Sequence, residues 1–290
     1  LLLIINPLAG RQQAQTDLYK MVKIFSDHDY EVTVYPTRAR LDCTRKVAED
    51  AGQYDLVACC GGDGTLNEMV SGMMYRRDRR PMGYIPLGST NDLAVSLRLP
   101  TRVEEAALRV VTGREFYMDV GTLNDRYFNY IAAFGAFTET SYATPQEIKN
   151  ALGHLAYILE GVKSLGKIQP IRMKITADGE QFEEDYLFGA VTNTVSLGGV
   201  LKLDPEKVLL DDGMYELLLV KNPVNAMEAQ AMLTALMTQK YDGPQVIMRR
   251  ASDILFETSH AISWTIDGEY GGSFVHSHIV NNKNAVTLIV

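Results

Sequence analysis

Apolar residues in the first 120 positions form two kinds of pattern that alternate along the chain. Continuous runs such as Tyr54–Cys60 are typical of strands buried on both faces of a parallel sheet. Stripes at helical spacing, as in Gln13–His28, predict amphipathic helices. The predicted strands are Leu1–Ile5, Glu31–Pro36, Tyr54–Cys60 and Met82–Leu87, and the predicted helices are Gln13–His28, Leu41–Gly52, Leu66–Tyr75, Asn91–Leu97 and Glu104–Gly113. This succession predicts a doubly wound, Rossmann-like α/β domain, whose ligands bind at the carboxyl ends of the strands.

The pattern changes near residues 116–120, where strands begin to predominate. Turn signals such as Asn124-Asp125 and Asp178-Gly179 separate the predicted strands. Two predicted helices interrupt them, at Pro145–Leu165 and Pro223–Gln239. This part of the chain therefore predicts a mainly-β, antiparallel domain that resembles a β-sandwich.

The two patterns divide the chain into two domains. We expect an α/β nucleotide-binding domain at residues 1–119 and a β-rich domain at residues 120–280. Ala285–Val290 predicts a further strand, whose partner the pattern does not identify. Because the chain begins within a predicted strand, native residues are expected to precede Leu1.

Composition restricts the class of protein. The 290 residues are 46% hydrophobic and carry a formal net charge of −8, whereas a general nucleic-acid binder normally has a basic face. Three cysteines do not indicate a disulfide framework. The sequence contains no signal peptide and no apolar run of about 18 residues, so we expect a cytoplasmic protein without a membrane-spanning helix.

The segment Gly61–Glu68, with the sequence GGDGTLNE, lies between a predicted buried strand and a predicted helix. Its glycines leave backbone N–H groups accessible, and such groups at a helix N-terminus bind anions, most often phosphate. Asp63 would repel a phosphate unless a divalent cation lay between them, as in nucleotide sites. The alternative is a tight strand-to-helix turn in which Asp63 caps the helix.

Three carboxylates follow predicted strands or begin predicted helices: Asp63, Asp92 and Asp119. We expect them on one rim, where they would hold Mg²⁺ partly through water. The alternative is three unrelated caps and turn residues. His276 and His278 share one face of a predicted strand, but no third ligand suited to Zn²⁺ is apparent. The common phosphate-binding loops G-x-x-x-x-G-K-[ST] and G-x-G-x-x-G do not occur, so the glycine turn must supply the phosphate cradle.

Five motifs in order resemble those of the diacylglycerol kinase catalytic-domain family, the soluble bacterial lipid kinases related to sphingosine and ceramide kinases. The motifs are Asn6–Gly10 (NPLAG), Gly61–Glu68 (GGDGTLNE), Pro86–Ala94 (PLGSTNDLA), Leu209–Met214 (LLDDGM) and Thr265–Gly272 (TIDGEYGG). The resemblance implies an ATP- and Mg²⁺-dependent lipid kinase that phosphorylates the free hydroxyl of diacylglycerol to give phosphatidate. It also implies the NAD kinase/diacylglycerol kinase-like fold, which has a cleft between its two domains and binds the lipid substrate in the second, here residues 120–280. In this fold residues from about 281 to 290 return to the first domain.

The resemblance further implies which residues contact ATP. They are Asn6, Pro7, Gly10, Thr37, Gly61, Gly62, Asp63, Gly64, Thr65, Leu66, Asn67, Ser89, Asn91 and Asp92. Ser89 stands where the family commonly has Thr, and Thr90 follows it, so the assignment between the two hydroxyls stays open. At the LDDG segment the resemblance implies a structural Mg²⁺, held by the Asp212 carboxylate and the main-chain carbonyls of Leu209 and Met214. By spacing alone that segment is a hairpin turn.

The sequence contains two Asp-Gly-Glu triplets. Asp178–Glu180 is predicted to form a hairpin turn, whereas Asp267–Glu269 ends an apolar strand and continues into two glycines. The proton acceptor of the family lies in the second context, so the resemblance makes Glu269 the candidate base and Asp267 the alternative. Together with Asp63, these residues form the predicted catalytic set.

Several alternatives to a diacylglycerol kinase remain open. One is a kinase for another lipid alcohol, such as a sphingoid base or phosphatidylglycerol. Another is NAD kinase, which shares the GGDGT turn, although Asn67-Glu68 and Asp267–Gly272 favour the lipid kinases. A non-catalytic regulatory or nucleotide-sensing protein is disfavoured because all the acidic site residues are present.

The expected partners follow from this hypothesis. They are ATP, a diacylglycerol or related lipid and, transiently, the inner face of the membrane, with no nucleic acid. Candidate contacts with anionic headgroups are Arg11, the arginines of Arg76–Arg80, Lys163 and Lys167. A homodimer is left open.

Overall fold

A computed structural model describes residues 1–135, 169–197, 201–204, 208–241 and 243–290. The predicted helix Pro145–Leu165 and the candidate headgroup contacts Lys163 and Lys167 lie outside these residues. The described chain separates into two compact units. The first comprises Leu1–Val120 and Asn282–Val290, and the second comprises Gly121–Asn281.

The first unit is built on a parallel sheet. Its strands are β1 (Leu2–Ile5), β2 (Thr33–Pro36), β3 (Val57–Gly61) and β4 (Met82–Pro86), in the order β2-β1-β3-β4. Its helices are α1 (Gln13–Thr16), α2 (Leu18–Ser26), α3 (Asp42–Asp50), α4 (Asp63–Met74), α5 (Asp92–Ser96) and α6 (Val103–Thr112). The predicted α/β succession is confirmed, with boundaries that differ by a few residues. The single helix expected at Gln13–His28 is interrupted at Asp17, whose carboxylate pairs with Lys20.

Strand register brings the carboxyl ends of the parallel strands into line. Ile5 pairs with Pro36 and with Cys60, and Gly61 pairs with Pro86. The apolar strands β1, β3 and β4 are almost completely buried, as expected for strands covered on both faces, whereas β2 is partly exposed. The segments that follow the strands, including three of the five motifs, therefore start from one edge of the sheet.

The last strand of the chain completes the first unit. It is β15 (Glu269–Ile289), and its Leu288 pairs in parallel with Met82 of β4. The backbones of Val290 and Arg114 exchange two hydrogen bonds of 2.9 Å just before β5 (Glu115–Leu123). The partner of the predicted C-terminal strand is thus identified as the β4 edge of the parallel sheet.

The second unit is mainly antiparallel. Its further strands are β6 (Arg126–Phe128), β7 (Ile131–Gly135), β8 (Ile171–Ala177), β9 (Glu180–Thr192), β10 (Ser196–Leu197), β11 (Leu201–Lys202), β12 (Tyr215–Lys221), β13 (Val246–Ala251) and β14 (Asp253–Ile266), with helix α7 at Ala226–Thr238. The long strands β9 and β14 each pair with both β7 and β8. The core contains Phe134, Phe256 and Trp264, whose rings meet edge to face at centroid distances of 5.0 to 5.8 Å.

Candidate active site

The glycine turn forms the junction of β3 and α4. Gly61 ends the strand, Gly62 precedes the helix, and Asp63 is the first helical residue. No side chain caps this helix, so Asp63 does not serve as the cap that the alternative interpretation required. Because the first N–H groups of a helix have no partner within it, this end of α4 can bind an anion. Buried apolar side chains anchor the helix: Leu66, Met69, Val70, Met73 and Met74.

At Gly62 and Gly88 the glycine turn and the loop that follows β4 meet through backbone atoms. A Cβ atom added to Gly88 would lie 2.7 Å from the Cα of Gly62, and one added to Gly62 would lie 3.1 Å from the Cα of Gly88. The N–H of Leu87 donates to the carbonyl of Gly61 at 2.7 Å. Such a close approach explains why glycine occupies both positions.

An open cavity of about 640 Å³ lies where these loops meet. It is lined by Asn6, Leu8, Ala9, Gly10, Gly62, Leu87, Gly88 and Ser89. Its volume falls in the range of small-molecule sites. Three motifs that are far apart in sequence therefore contribute to one cavity.

Not every predicted nucleotide contact presents its side chain to a ligand. The Asn6 amide oxygen accepts the N–H of Leu8 at 3.0 Å, and its nitrogen donates to the Thr65 hydroxyl at 3.4 Å. Thr37 follows β2, but its N–H and hydroxyl both donate to the carbonyl of Ile5, at 2.8 and 3.3 Å. The side chain of Leu66 is buried. These residues shape the loops, and any contact that Leu66 makes with ATP would come from its backbone.

Asn91 holds the loop after β4 in shape. It has a left-handed backbone with φ of 53°, and its side chain is buried. Its amide oxygen accepts the N–H of Gly88 at 2.8 Å and the hydroxyl of Tyr84 at 3.1 Å, while its nitrogen donates to the carbonyl of Gly88 at 2.8 Å. The sequence does not indicate this role of Tyr84, because a tyrosine in an apolar strand resembles any core residue.

Asp63 carries an unsatisfied carboxylate oxygen. Its Oδ1 is buried and has no hydrogen-bond partner in the described part of the chain. Burial raises the pKa of Asp63, although the backbone N–H groups of Asn91, Asp92 and Leu93 act in the opposite direction. A buried oxygen of this kind fits a divalent cation, since hard oxygen ligands suit Mg²⁺.

The three predicted carboxylates do not form a cluster. Asp119 lies inside β5, is completely buried, and accepts the N–H of Asn284 at 2.8 Å. No three His, Cys, Asp or Glu side chains in the described ranges lie close enough to hold a metal ion. A cation at Asp63 would therefore need water or phosphate for most of its ligands.

At the LDDG segment the Asp212 carboxylate already has partners. It accepts the N–H of Met214 at 2.9 Å and forms an ion pair with Arg250. The Nε of Arg250 lies 3.4 Å from a carboxylate oxygen of Glu216, and burial raises the pKa of Glu216 to about 7. A metal ion does not fit this turn unless Arg250 moves away.

The segment Asp267–Gly268 is a hairpin turn that joins β14 to β15. Asp267 is buried, and its carboxylate accepts the N–H groups of Asn129, Tyr130 and Ile131 at 2.7, 3.1 and 3.2 Å. Glu269, the first residue of β15, is exposed. The carboxylate of Asp267 is thus bound to the backbone, whereas that of the neighbouring Glu269 is exposed.

Comparison with known proteins accounts for both units. Residues 1–123 match the family model of the diacylglycerol kinase catalytic domain, and residues 137–289 match that of the YegS C-terminal NAD kinase beta sandwich-like domain. A diacylglycerol kinase of Bacillus subtilis is 34% identical over 97% of this chain and 96% of its own length. The chain belongs to the bacterial diacylglycerol kinase family.

Other members of the family support this assignment. A diacylglycerol kinase of Staphylococcus aureus is 32% identical over 93% of the chain and 86% of its own length. The crystal structure of a diacylglycerol kinase from Bacillus anthracis has a TM-score of 0.77 and 25% identity, and the match covers 99% of this chain and 95% of that one. As a member of this family, the chain is a kinase. None of its described helices is long and apolar enough to cross a membrane.

Proposed function

We propose that this kinase transfers the γ-phosphoryl group of ATP to the free hydroxyl of diacylglycerol, giving phosphatidate and ADP. The observation that carries the proposal is the convergence of three family motifs on one cavity at the carboxyl ends of the parallel strands. The identity of the acceptor rests on the names of the relatives.

In this proposal the N-terminus of α4 binds the phosphates through backbone N–H groups, and the loop at Gly88, whose own N–H donates to Asn91, forms part of the cavity wall. Asp63 would hold Mg²⁺ through its Oδ1, which is buried and has no hydrogen-bond partner among the residues that the structure describes. A bound Mg²⁺ would neutralise charge on the phosphates and so favour the transfer. Asp92 and Ser89 lie in the same loop region as further polar groups. Asp119, which is buried inside β5, stays a predicted member of this site through water.

The second unit supplies the proposed base. As the hydroxyl oxygen of the lipid bonds to the γ-phosphorus, the bond from that phosphorus to the β-γ bridging oxygen breaks. Glu269 accepts the hydroxyl proton. Asp267 keeps the turn in shape by accepting hydrogen bonds from three backbone N–H groups.

Because diacylglycerol resides in a bilayer, the proposal includes transient contact with the inner face of the membrane. The arginines predicted for this contact are largely used within the first unit. Arg76, Arg79 and Arg80 donate to the carbonyls of Ala48, Ala285 and Gly52. These hydrogen bonds give the three arginines a structural role as well, and their contact with headgroups stays a prediction.

The test is phosphate transfer from labelled ATP to a panel of acceptors, with and without Mg²⁺. The panel contains diacylglycerol, a sphingoid base, phosphatidylglycerol and NAD, and Asp63→Ala is the matched inactive variant. We expect label on diacylglycerol, only with Mg²⁺, and none from the variant. Label on NAD alone, or on another lipid alone, would refute diacylglycerol as the acceptor. ATP binding without any transfer would favour a nucleotide sensor.

A further inference from the structure

Tyr84 lies in the middle of β4, directly behind the predicted nucleotide loops. It pairs with Cys59 of β3 and is only 2% exposed. Its hydroxyl donates to the amide oxygen of Asn91 at 3.1 Å. Burial raises the pKa of Tyr84, and the negative charge of Asp63 raises it further, so the phenol keeps its proton and remains a donor.

The hydrogen bond from Tyr84 reaches the cavity through two further contacts. The same Asn91 oxygen accepts the N–H of Gly88, and the Asn91 nitrogen donates to the carbonyl of Gly88. Gly88 in turn packs against the Cα of Gly62, which precedes α4. One buried hydroxyl thus orients the amide that fixes the position of the Gly88 backbone in the cavity wall.

We propose that Tyr84 is a positioning residue for nucleotide binding, which acts through Asn91 to hold the Gly88 loop against the glycine turn. The inference rests on the proposed function, because it assumes that ATP binds in this cavity. Without the hydroxyl, the Asn91 amide loses one of the groups that fix its orientation, and the Gly88 loop can move away from Gly62. ATP should then bind less tightly, while the acceptor lipid should be unaffected.

The second unit offers a matched control. Tyr186 in β9 is also completely buried, but its hydroxyl has no hydrogen-bond partner in the part of the chain that the structure describes. Tyr84→Phe and Tyr186→Phe therefore remove the same atom from buried positions, with and without the contact to Asn91. Both variants keep the aromatic ring, so the surrounding packing is retained.

The experiment measures the dissociation constant of ATP by calorimetry for the wild type and both variants, together with their melting temperatures. We expect Tyr84→Phe to bind ATP about three- to tenfold more weakly, the factor usual for loss of one neutral hydrogen bond. Tyr186→Phe should bind as the wild type does. The KM for diacylglycerol should not change in either variant.

A double-mutant cycle tests whether Tyr84 acts through Asn91. If it does, adding Tyr84→Phe to Asn91→Ala should weaken ATP binding no further than Asn91→Ala alone. Full additivity of the two substitutions would overturn the inference. If the wild type binds ATP, equally tight binding by a folded Tyr84→Phe protein would also overturn it. A wild type that fails to bind ATP would instead overturn the proposed function, and the inference with it.

Hydrogen exchange provides a measurement that does not depend on ATP. In Tyr84→Phe the backbone N–H of Gly88 should exchange faster, because the acceptor that holds it is less firmly oriented. Exchange in the hairpins of the second unit should be unchanged. Equal protection of Gly88 in the wild type and the variant would overturn the inference even if the variant were less stable.

Discussion

Two hairpins of the second unit contain the same triplet of residue types, Asp-Gly-Glu, and form the same turn. Asp178 and Gly179 have φ values of 44° and 89°, and Asp267 and Gly268 have 47° and 83°. Both pairs join two antiparallel strands in the manner of the two-residue turns that Asp-Gly favours. The local sequence therefore determines the turn, and it does so identically in both places.

The two hairpins differ in their surroundings. Asp178 is exposed and accepts from the N–H and hydroxyl of Ser252 and from the N–H of Asp253, whereas Asp267 is buried against Asn129–Ile131. Each carboxylate ties its turn to a distant segment of chain. The comparison teaches that an Asp-Gly-Glu triplet specifies a turn. The burial of its aspartate determines how much that side chain contributes to the stability of the fold.

The largest expected effect concerns the glutamates that end the two triplets. If Glu269 is the base, Glu269→Gln should lower kcat by about 10²–10⁴-fold, the usual contribution of general-base assistance. The melting temperature and ATP affinity should stay close to normal, because Glu269 is exposed. Glu180→Gln, at the equivalent position of the other hairpin, should have no effect on kcat.

Activity of Glu269→Gln near that of the wild type would contradict this role. Asp267→Asn then becomes the decisive variant. Loss of turnover in Asp267→Asn alone, with the fold intact, would show that the buried carboxylate is the base. Full activity in both variants would move proton transfer to another group.

The next effect is on stability. Asp267→Ala removes the acceptor of two buried N–H groups and of a partly buried one, so the free energy of unfolding should fall by about 3 kcal/mol or more. Asp178→Ala exposes its donors to water and should cost about 1 kcal/mol or less. Urea denaturation of the two variants measures the difference directly, and equal losses would refute burial as its cause.

Much of the architecture could be predicted because it depends on local patterns. The glycine turn at Gly61–Gly64 and the Asp-Gly hairpins follow from residues that are adjacent in sequence. The position expected for Asp119, at the end of a strand, was wrong because β5 continues to Leu123. Asp119 therefore lies in the middle of a strand and is buried. The hydrogen bond between the side chains of Tyr84 and Asn91 joins a strand to a loop, and neither segment's sequence pattern indicates it.

Glu68 shows the same limit within the most recognisable motif. The sequence presents it as part of GGDGTLNE, beside the nucleotide site. In the structure its two carboxylate oxygens accept the N–H groups of Leu41 and Cys43 at 2.8 and 3.2 Å, at the start of α3. Its role depends on a helix about 25 residues earlier in the chain, which periodicity alone does not associate with it.

A smaller loss of stability is therefore expected at Glu68. It is half-buried and holds two N–H groups, so it is intermediate between Asp178 and Asp267. Glu68→Ala should lower the free energy of unfolding by about 1–2 kcal/mol, the range for loss of a helix cap. The same urea measurements should rank the three alanine variants as Asp267, Glu68 and Asp178. A larger loss at Glu68 than at Asp267 would contradict the ranking.

The smallest expected effect concerns Asp212, a third carboxylate that holds a turn in the second unit. Its partners are the N–H of Met214 and the guanidinium of Arg250, so a cationic group already neutralises it. Without nucleotide, Mg²⁺ should raise the melting temperature of the wild type only slightly, and more clearly that of Arg250→Gln, where the carboxylate can accept a metal ion. Thermal melts with and without Mg²⁺ measure both, with Asp212→Ala as the control. A large rise in the wild type that Asp212→Ala abolishes would show instead that the metal ion displaces Arg250 and that the structural Mg²⁺ implied by the motif is bound there.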